Sequence, residues 1–244
     1  MNNKLPVTEI GRVELSNSSF NYLAYFSFSD FSGFSEDIEQ LKEFLHIYEL
    51  EHFNNLKFER RIKSYLIGRY SAKIAISAYV KEDDLSKICI LNGIFDQPVV
   101  NTNFNEKIQV SISHSKDLGC AICFNEKCPM GIDIEFIRSD NLKALERYIK
   151  SSELDLVHDV SANYEEGLYL LWTSKESLSK ALKIGFLSPI SLFEINEIEN
   201  KGSFFKCSYK NFPMFSSISF IKNGFMVSIT YPKKLNIKYS QLFP

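Results

Sequence analysis

The stretch Leu170-Leu171-Trp172-Thr173-Ser174-Lys175-Glu176-Ser177-Leu178-Ser179-Lys180 decides how the C-terminal half of this chain is read. It contains neither proline nor glycine, and Leu168, Leu171, Leu178 and Leu182 fall on one helical face, so the spacing predicts an amphipathic helix. The helix should start near Tyr164 and end by Gly185, a natural residue to follow a helix C-cap, with Pro189 shortly beyond. Glu176 and Lys180 then lie one above the other, with the acidic member N-terminal, a pairing worth about 0.2–0.5 kcal/mol on an exposed helix. Trp172 and Glu176 flank the leucine stripe and Lys180 lies one step further out. Glu176 is therefore placed at a buried edge, where a carboxyl pKa shifts and a metal is within reach.

Upstream stands Met130-Gly131-Ile132-Asp133-Ile134-Glu135. Side chains alternate across a strand, so Ile132 and Ile134 share one face and Asp133 and Glu135 the other. Two like charges on one face either meet water on an edge strand or share a cation, and hard carboxylate oxygens suit Mg²⁺. The strand predicted over 119–124 is joined to this one by Asn125-Glu126-Lys127-Cys128-Pro129, a turn-rich connection that predicts a hairpin. Cys120 and Cys123 form a C-x-x-C with Cys128 and His114 near in sequence, a pattern that zinc could use. The stronger reading of Gly119-Cys120-Ala121-Ile122-Cys123-Phe124 is a buried strand, and an odd total of five cysteines argues against a disulfide framework. Ser111-Ile112-Ser113-His114-Ser115 puts hydroxyls and an imidazole at a strand end, suited either to phosphate oxygens or to a plain surface turn.

The rest of the chain supplies the frame. One or two strands are expected over 12–30, and a helix from Ser35 to about Leu50 through Ile38, Leu41, Phe44 and Leu45. A longer helix over about 56–80 carries Arg60, Arg61, Lys63, Arg69 and Lys73. Such a basic run is either a solvated face or a phosphate-binding one. Strands follow at 88–91 and 108–112, then four more beyond residue 190, the last two joined by Asn223-Gly224, a type I′ hairpin signal. Tyr65-Leu66-Ile67-Gly68-Arg69-Tyr70-Ser71-Ala72-Lys73 echoes Tyr169-Leu170-Leu171-Trp172-Thr173-Ser174-Lys175. The fold class expected is α+β with two similar halves, 1–129 and 130–244, each a small, mainly antiparallel sheet packed on helices. Forty-five per cent apolar and 24 per cent charged residues with a net charge of −2 describe a globular chain with no bulk attraction to nucleic acid. No apolar run is long enough to span a membrane, and the N-terminus lacks a secretory h-region, so a cytoplasmic protein is expected.

Gly131-Ile132-Asp133-Ile134-Glu135, followed by Trp172-Thr173-Ser174-Lys175-Glu176-Ser177-Leu178-Ser179-Lys180 and preceded by Ser113-His114, resembles the paired signature of the 4′-phosphopantetheinyl transferases of the Sfp type. The resemblance implies two halves related by a pseudo-two-fold axis and a monomeric enzyme. Its implied reaction moves phosphopantetheine from coenzyme A to a serine of an apo acyl, peptidyl or aryl carrier protein, releasing adenosine 3′,5′-bisphosphate. It implies Asp133, Glu135 and Glu176 as Mg²⁺ ligands, Glu176 also as the base for the serine hydroxyl, and Lys180 as the cation that neutralises pyrophosphate or leaving group. Ser113 and His114 match a pair that contacts coenzyme A phosphates, and Arg60 and Lys63 are candidates for its 3′-phosphate. The chain departs from the pattern at Gln97-Pro98, where a lysine often precedes the proline, at Ser111, where asparagine is common, and around His52, where some members carry a basic pair. Two other functions use similar residues: a Mg²⁺-dependent nuclease or phosphodiesterase, which calls for a broader basic surface, and a non-catalytic carrier-binding module, which calls for a broken acidic triad.

Overall fold

In a computed structural model, residues 6–33, 42–101, 104, 106–160, 163–185 and 188–238 are described. They fall into two compact units, the first made of Met1–Glu14 and Tyr22–Lys127 and the second of Leu15–Asn21 and Cys128–Pro244.

The first unit contains β1 (Val7–Ser16), β2 (Asn21–Asp30), α1 (Ile47–Asn54), α2 (Glu59–Val80), β3 (Ile90–Asn92), β4 (Pro98–Val100), β5 (Ile108–Ser115) and β6 (Leu118–Asn125). Strands β1, β2, β6 and β5 stand in that order in one sheet, and β3 pairs with β4 in a ribbon beside β5. Small residues let α2 settle closely on the sheet: Ala72, Ala75 and Ile76 pack against Val110, Ala121 and Cys123. Gly119 on β6 faces Ile67 and Ser71 of α2, leaving no room for a Cβ. Of the helix expected over 35–50, residues 35–41 lie outside the described residues. Among the described residues of that stretch, an α-helix begins at Ile47, after His46, whose ring nitrogen and the returning Glu49 carboxylate close a capping box. Ile38 and Leu41 lie outside the described residues.

The second unit contains β7 (Gly131–Phe136), α3 (Leu142–Glu146), α4 (Ser151–Val160), α5 (Tyr164–Ala181), β8 (Ile195–Asn200), β9 (Phe205–Tyr209), β10 (Phe215–Lys222), β11 (Phe225–Pro232) and β12 (Asn236–Lys238). Its sheet has the order β7-β11-β10-β9-β8, with every pairing antiparallel. Asn223 and Gly224 join β10 to β11 with φ of 51° and 80°, the doubly left-handed turn that their types predict. From β2 onward the first unit runs strand, short helix, long helix and four strands, with β6 paired back to β2; the second runs β7, two short helices, α5 and β8 to β11, with β11 paired back to β7 and β12 following.

Three expectations are corrected. Strands β6 and β7 do not form a hairpin: β6 pairs with β2 and β5, and β7 pairs with β11, so residues 126–130 connect two sheets. The turn chemistry there is real, but a turn-rich link does not specify which strands pair. The helix α5 ends at Ala181, within the expected bound, but Gly185 is not the residue that terminates it. Lys183 adopts the left-handed conformation at φ 58°. Its N–H reaches Lys180 O, and Ile184 N–H reaches Ser179 O, the paired bonds of a Schellman ending with lysine in the position glycine usually takes.

Finally, α5 is not amphipathic in the ordinary sense, because Leu168 to Leu171 and Thr173 to Ser179 are all buried. The leucines pack in the apolar core with Phe193, Ile195 and Met226. The opposite face meets the sheet through hydroxyls: Thr173 to Ser228 at 2.7 Å, Ser174 to Ser219 at 3.0 Å and Ser177 to Thr230 at 2.7 Å. Each hydroxyl both donates and accepts, so these pairs satisfy polar groups that burial would otherwise penalise. All five cysteines are buried free thiols, with Cys120 and Cys123 inside β6, as the strand reading expects. Among the described residues no helix is long and apolar enough to cross a membrane.

Candidate active site

In the second unit the acidic residues gather where β7 passes under α5. Ile132 and Ile134 are fully buried on one face of β7, and Gly131, Asp133 and Glu135 occupy the other. Gly131 is what lets the strand approach. A Cβ there would run into the carbonyl of Ser177 and the amide of Ala181, both α5 backbone. With strand and helix in backbone contact, Asp133, two residues along β7, comes within reach of side chains from the last turns of α5.

The reach is realised by Lys180, whose Nζ lies 2.7 Å from Asp133 Oδ1. Asp133 is 4% exposed and Glu176, one turn back on α5, 7% exposed. Burial pushes the Glu176 carboxyl up from 4.5 to about 7; the negative charges of Asp133 and Glu135 add to the rise, and Lys180 opposes it. Its Oε1 is buried and accepts no hydrogen bond. A buried carboxylate oxygen without a donor fits a cation or a proton, and the three carboxylates are the hard donors that Mg²⁺ takes. Among the described residues, however, no three His, Cys, Asp or Glu side chains are gathered closely enough to form a metal centre. The ammonium of Lys180 is the cation that Asp133 holds.

The candidates in the first unit are arranged as follows. Ser113 is buried on β5 and His114, next along the strand, is exposed, just before the Lys116-Asp117 turn into β6. Lys63 on α2 forms an ion pair with Asp117 in that turn. Arg60, nearly one helical turn earlier, is exposed. The structure thus brings Lys63 to the Ser-His hairpin, while no contact of Arg60 with it is seen among the described residues.

Lys175 and Glu153 are a pair that sequence reading missed. Lys175 Nζ lies 2.6 Å from Glu153 Oε2, with both side chains 0% exposed. The carboxylate also accepts the backbone N–H groups of Lys150 and Ile195, and the ammonium also donates to Tyr148 O. The first unit has the same device. Glu49 pairs with Lys73 at 2.5 Å and accepts from His46 and Ile90, and Lys73 donates to Phe44 O and Leu85 O. Burial pushes both ammonium groups below the ordinary lysine range, and the paired carboxylates oppose the shift. The faint echo between the two long helices was the signal: Lys73 and Lys175 are its last residues. The residue that follows is Ile74 in one helix and Glu176 in the other, so only the second unit sets a carboxylate beside the peg.

Residues 129–230 match the 4′-phosphopantetheinyl transferase superfamily. The chain is 31% identical over 104 residues to the 4′-phosphopantetheinyl transferase gsp of Aneurinibacillus migulanus, an alignment covering 42% of this chain and 43% of that protein. The matched part thus spans less than half the length of that relative. Among solved structures, a holo-(acyl-carrier-protein) synthase from Bacillus anthracis in complex with CoA (3′,5′-ADP) is similar at a TM-score of 0.37 and 22% identity, covering 48% of this chain and 96% of that one.

Proposed function

We propose, from the premise that residues 129–230 belong to the 4′-phosphopantetheinyl transferase superfamily, that this protein transfers 4′-phosphopantetheine from coenzyme A to a serine of an apo carrier protein. The observation that carries the reading is Glu176: a buried carboxyl raised to about 7 beside Asp133, in the helix that also presents Lys180. A base poised near neutral pH is what proton transfer from a serine hydroxyl calls for. In the reaction the serine oxygen bonds to the phosphorus next to pantetheine, the pyrophosphate bridge breaks, and adenosine 3′,5′-bisphosphate leaves. The serine proton passes to Glu176, and the ammonium of Lys180 offsets negative charge on the pyrophosphate. Asp133, Glu135 and Glu176 are the residues that would hold Mg²⁺, which when bound supplies Lewis-acid neutralisation of the phosphoryl oxygens. Ser113 and His114 contact coenzyme A phosphates, and Lys63 and Arg60 recognise its 3′-phosphate. We further place the protein in the cytoplasm as a monomer.

The reading is tested by incubating the protein with coenzyme A, Mg²⁺ and a panel of apo acyl, peptidyl and aryl carriers and weighing the carriers by mass spectrometry. A carrier that gains one phosphopantetheine supports it. A panel left unmodified, with nucleic acid or phosphodiester cleaved instead, replaces it with the nuclease reading.

A further inference from the structure

The contact between Lys180 and Asp133 has a consequence for how a metal enters. Asp133 and Glu135 share a face of β7, Glu176 lies on α5 above it, and the Lys180 ammonium is 2.7 Å from Asp133 Oδ1. A Mg²⁺ ion binds oxygen ligands at about 2.0–2.1 Å. It would therefore sit within a few ångströms of that ammonium, and like charges so close in a buried site repel strongly.

We propose that Lys180 is the resident cation of this site. It neutralises Asp133 until a divalent ion arrives, and it must leave Asp133 for that ion to bind. Metal entry and delivery of the ammonium to substrate phosphate are then a single exchange. This rests on the transferase reading and adds to it an order of events. Two observations show that Lys180 can make the exchange. Its side chain is 26% exposed against 5% for Asp133, so it has a solvent side to move into. It also stands in the last turn of α5, where the carbonyl end of the helix favours a positive charge even after Asp133 is released. Mg²⁺ is commonly bound through one or two carboxylates together with substrate phosphates. Coenzyme A would bring both the metal and the anion that takes over the ammonium.

The test is to titrate Mn²⁺ into the metal-free protein without coenzyme A, by calorimetry and by electron paramagnetic resonance, for the wild type and for Lys180→Met, Lys180→Gln and Lys180→Arg. The neutral variants should bind Mn²⁺ about tenfold or more tightly than the wild type, since they remove an ammonium that competes for Asp133 and repels a divalent ion a few ångströms away. Their metal-free melting temperature should fall and be restored by Mn²⁺, while Lys180→Arg should bind as weakly as the wild type. Equal affinity across all four proteins, or neutral variants that Mn²⁺ does not rescue, overturns the inference. Tighter binding by the neutral variants together with a wild type that loads no carrier leaves the resident cation standing and removes the transferase reading.

Discussion

Lys175 Nζ and Glu153 Oε2 lie 2.6 Å apart with neither side chain exposed to solvent, and Lys73 and Glu49 repeat the arrangement in the first unit. In each unit the carboxylate belongs to a short helix and ties its first turn to the start of a later strand, and the lysine pegs the long helix to both. Because the pair is buried, removing one member leaves an uncompensated charge, an effect of about 3–5 kcal/mol. Lys175→Met should therefore lower unfolding free energy by that order in urea denaturation. A loss below about 1 kcal/mol would show that the pair is dispensable.

Gly131 should tolerate no side chain. A Cβ at that position meets α5 backbone rather than a flexible side chain, so β7 and α5 must part. Gly131→Ala should cost about 1–3 kcal/mol or more in stability. It should also reduce carrier loading further than the stability loss explains, since Asp133 and Lys180 meet only when strand and helix touch. Full loading by a folded Gly131→Ala protein would contradict this.

Glu176 gives a pH dependence of known sign. Its folded-state pKa of about 7 lies above the ordinary 4.5, so the folded protein holds a proton that the unfolded chain releases. The stability this contributes in metal-free protein is fully present below about 4.5 and is lost as pH rises through about 7, a change on the order of 3 kcal/mol. Glu176→Gln cannot ionise, so with EDTA it should be more stable than the wild type at pH 8 and similar at pH 4.5. The same variant should lose about 10²–10⁴-fold in turnover if the carboxylate is the base. Thermal melts at the two pH values and a loading assay check both halves.

Lys63 separates a binding role from a structural one. Its ion pair with Asp117 is half-exposed on both sides, and such pairs contribute about 0–1 kcal/mol. Lys63→Ala should leave the melting temperature nearly unchanged and weaken coenzyme A binding, with less effect on dephospho-coenzyme A, which lacks the 3′-phosphate. Equal weakening for both ligands would remove Lys63 from the 3′-phosphate.

Much of the fold was legible because it rests on local periodicity. The period of two on Gly131 to Glu135 put Asp133 and Glu135 on one face, and the long helices followed from apolar spacing and from the absence of proline. The hydroxyl face of α5 was not legible: serine and threonine count as polar whether they face water or a second row of serines, and Ser219, Ser228 and Thr230 stand far along the chain. Lys175 was hidden for the same reason, since a lysine reads as solvated until its carboxylate is known.

The sequence by itself determined the long helices and most of the strands, the shared face of the two carboxylates, the place of Glu176 on α5 and the likeness to the transferase signature. Only the tertiary structure decided that β6 and β7 belong to different sheets, that Lys175 is a buried peg, and that Lys180 answers to Asp133 rather than to Glu176. Spacing along one helix specifies which side chains share a face, but the partner of a charge is set by whichever opposite charge the packing brings within about 3 Å. In this protein the backbone contact at Gly131 brings Asp133 to Lys180.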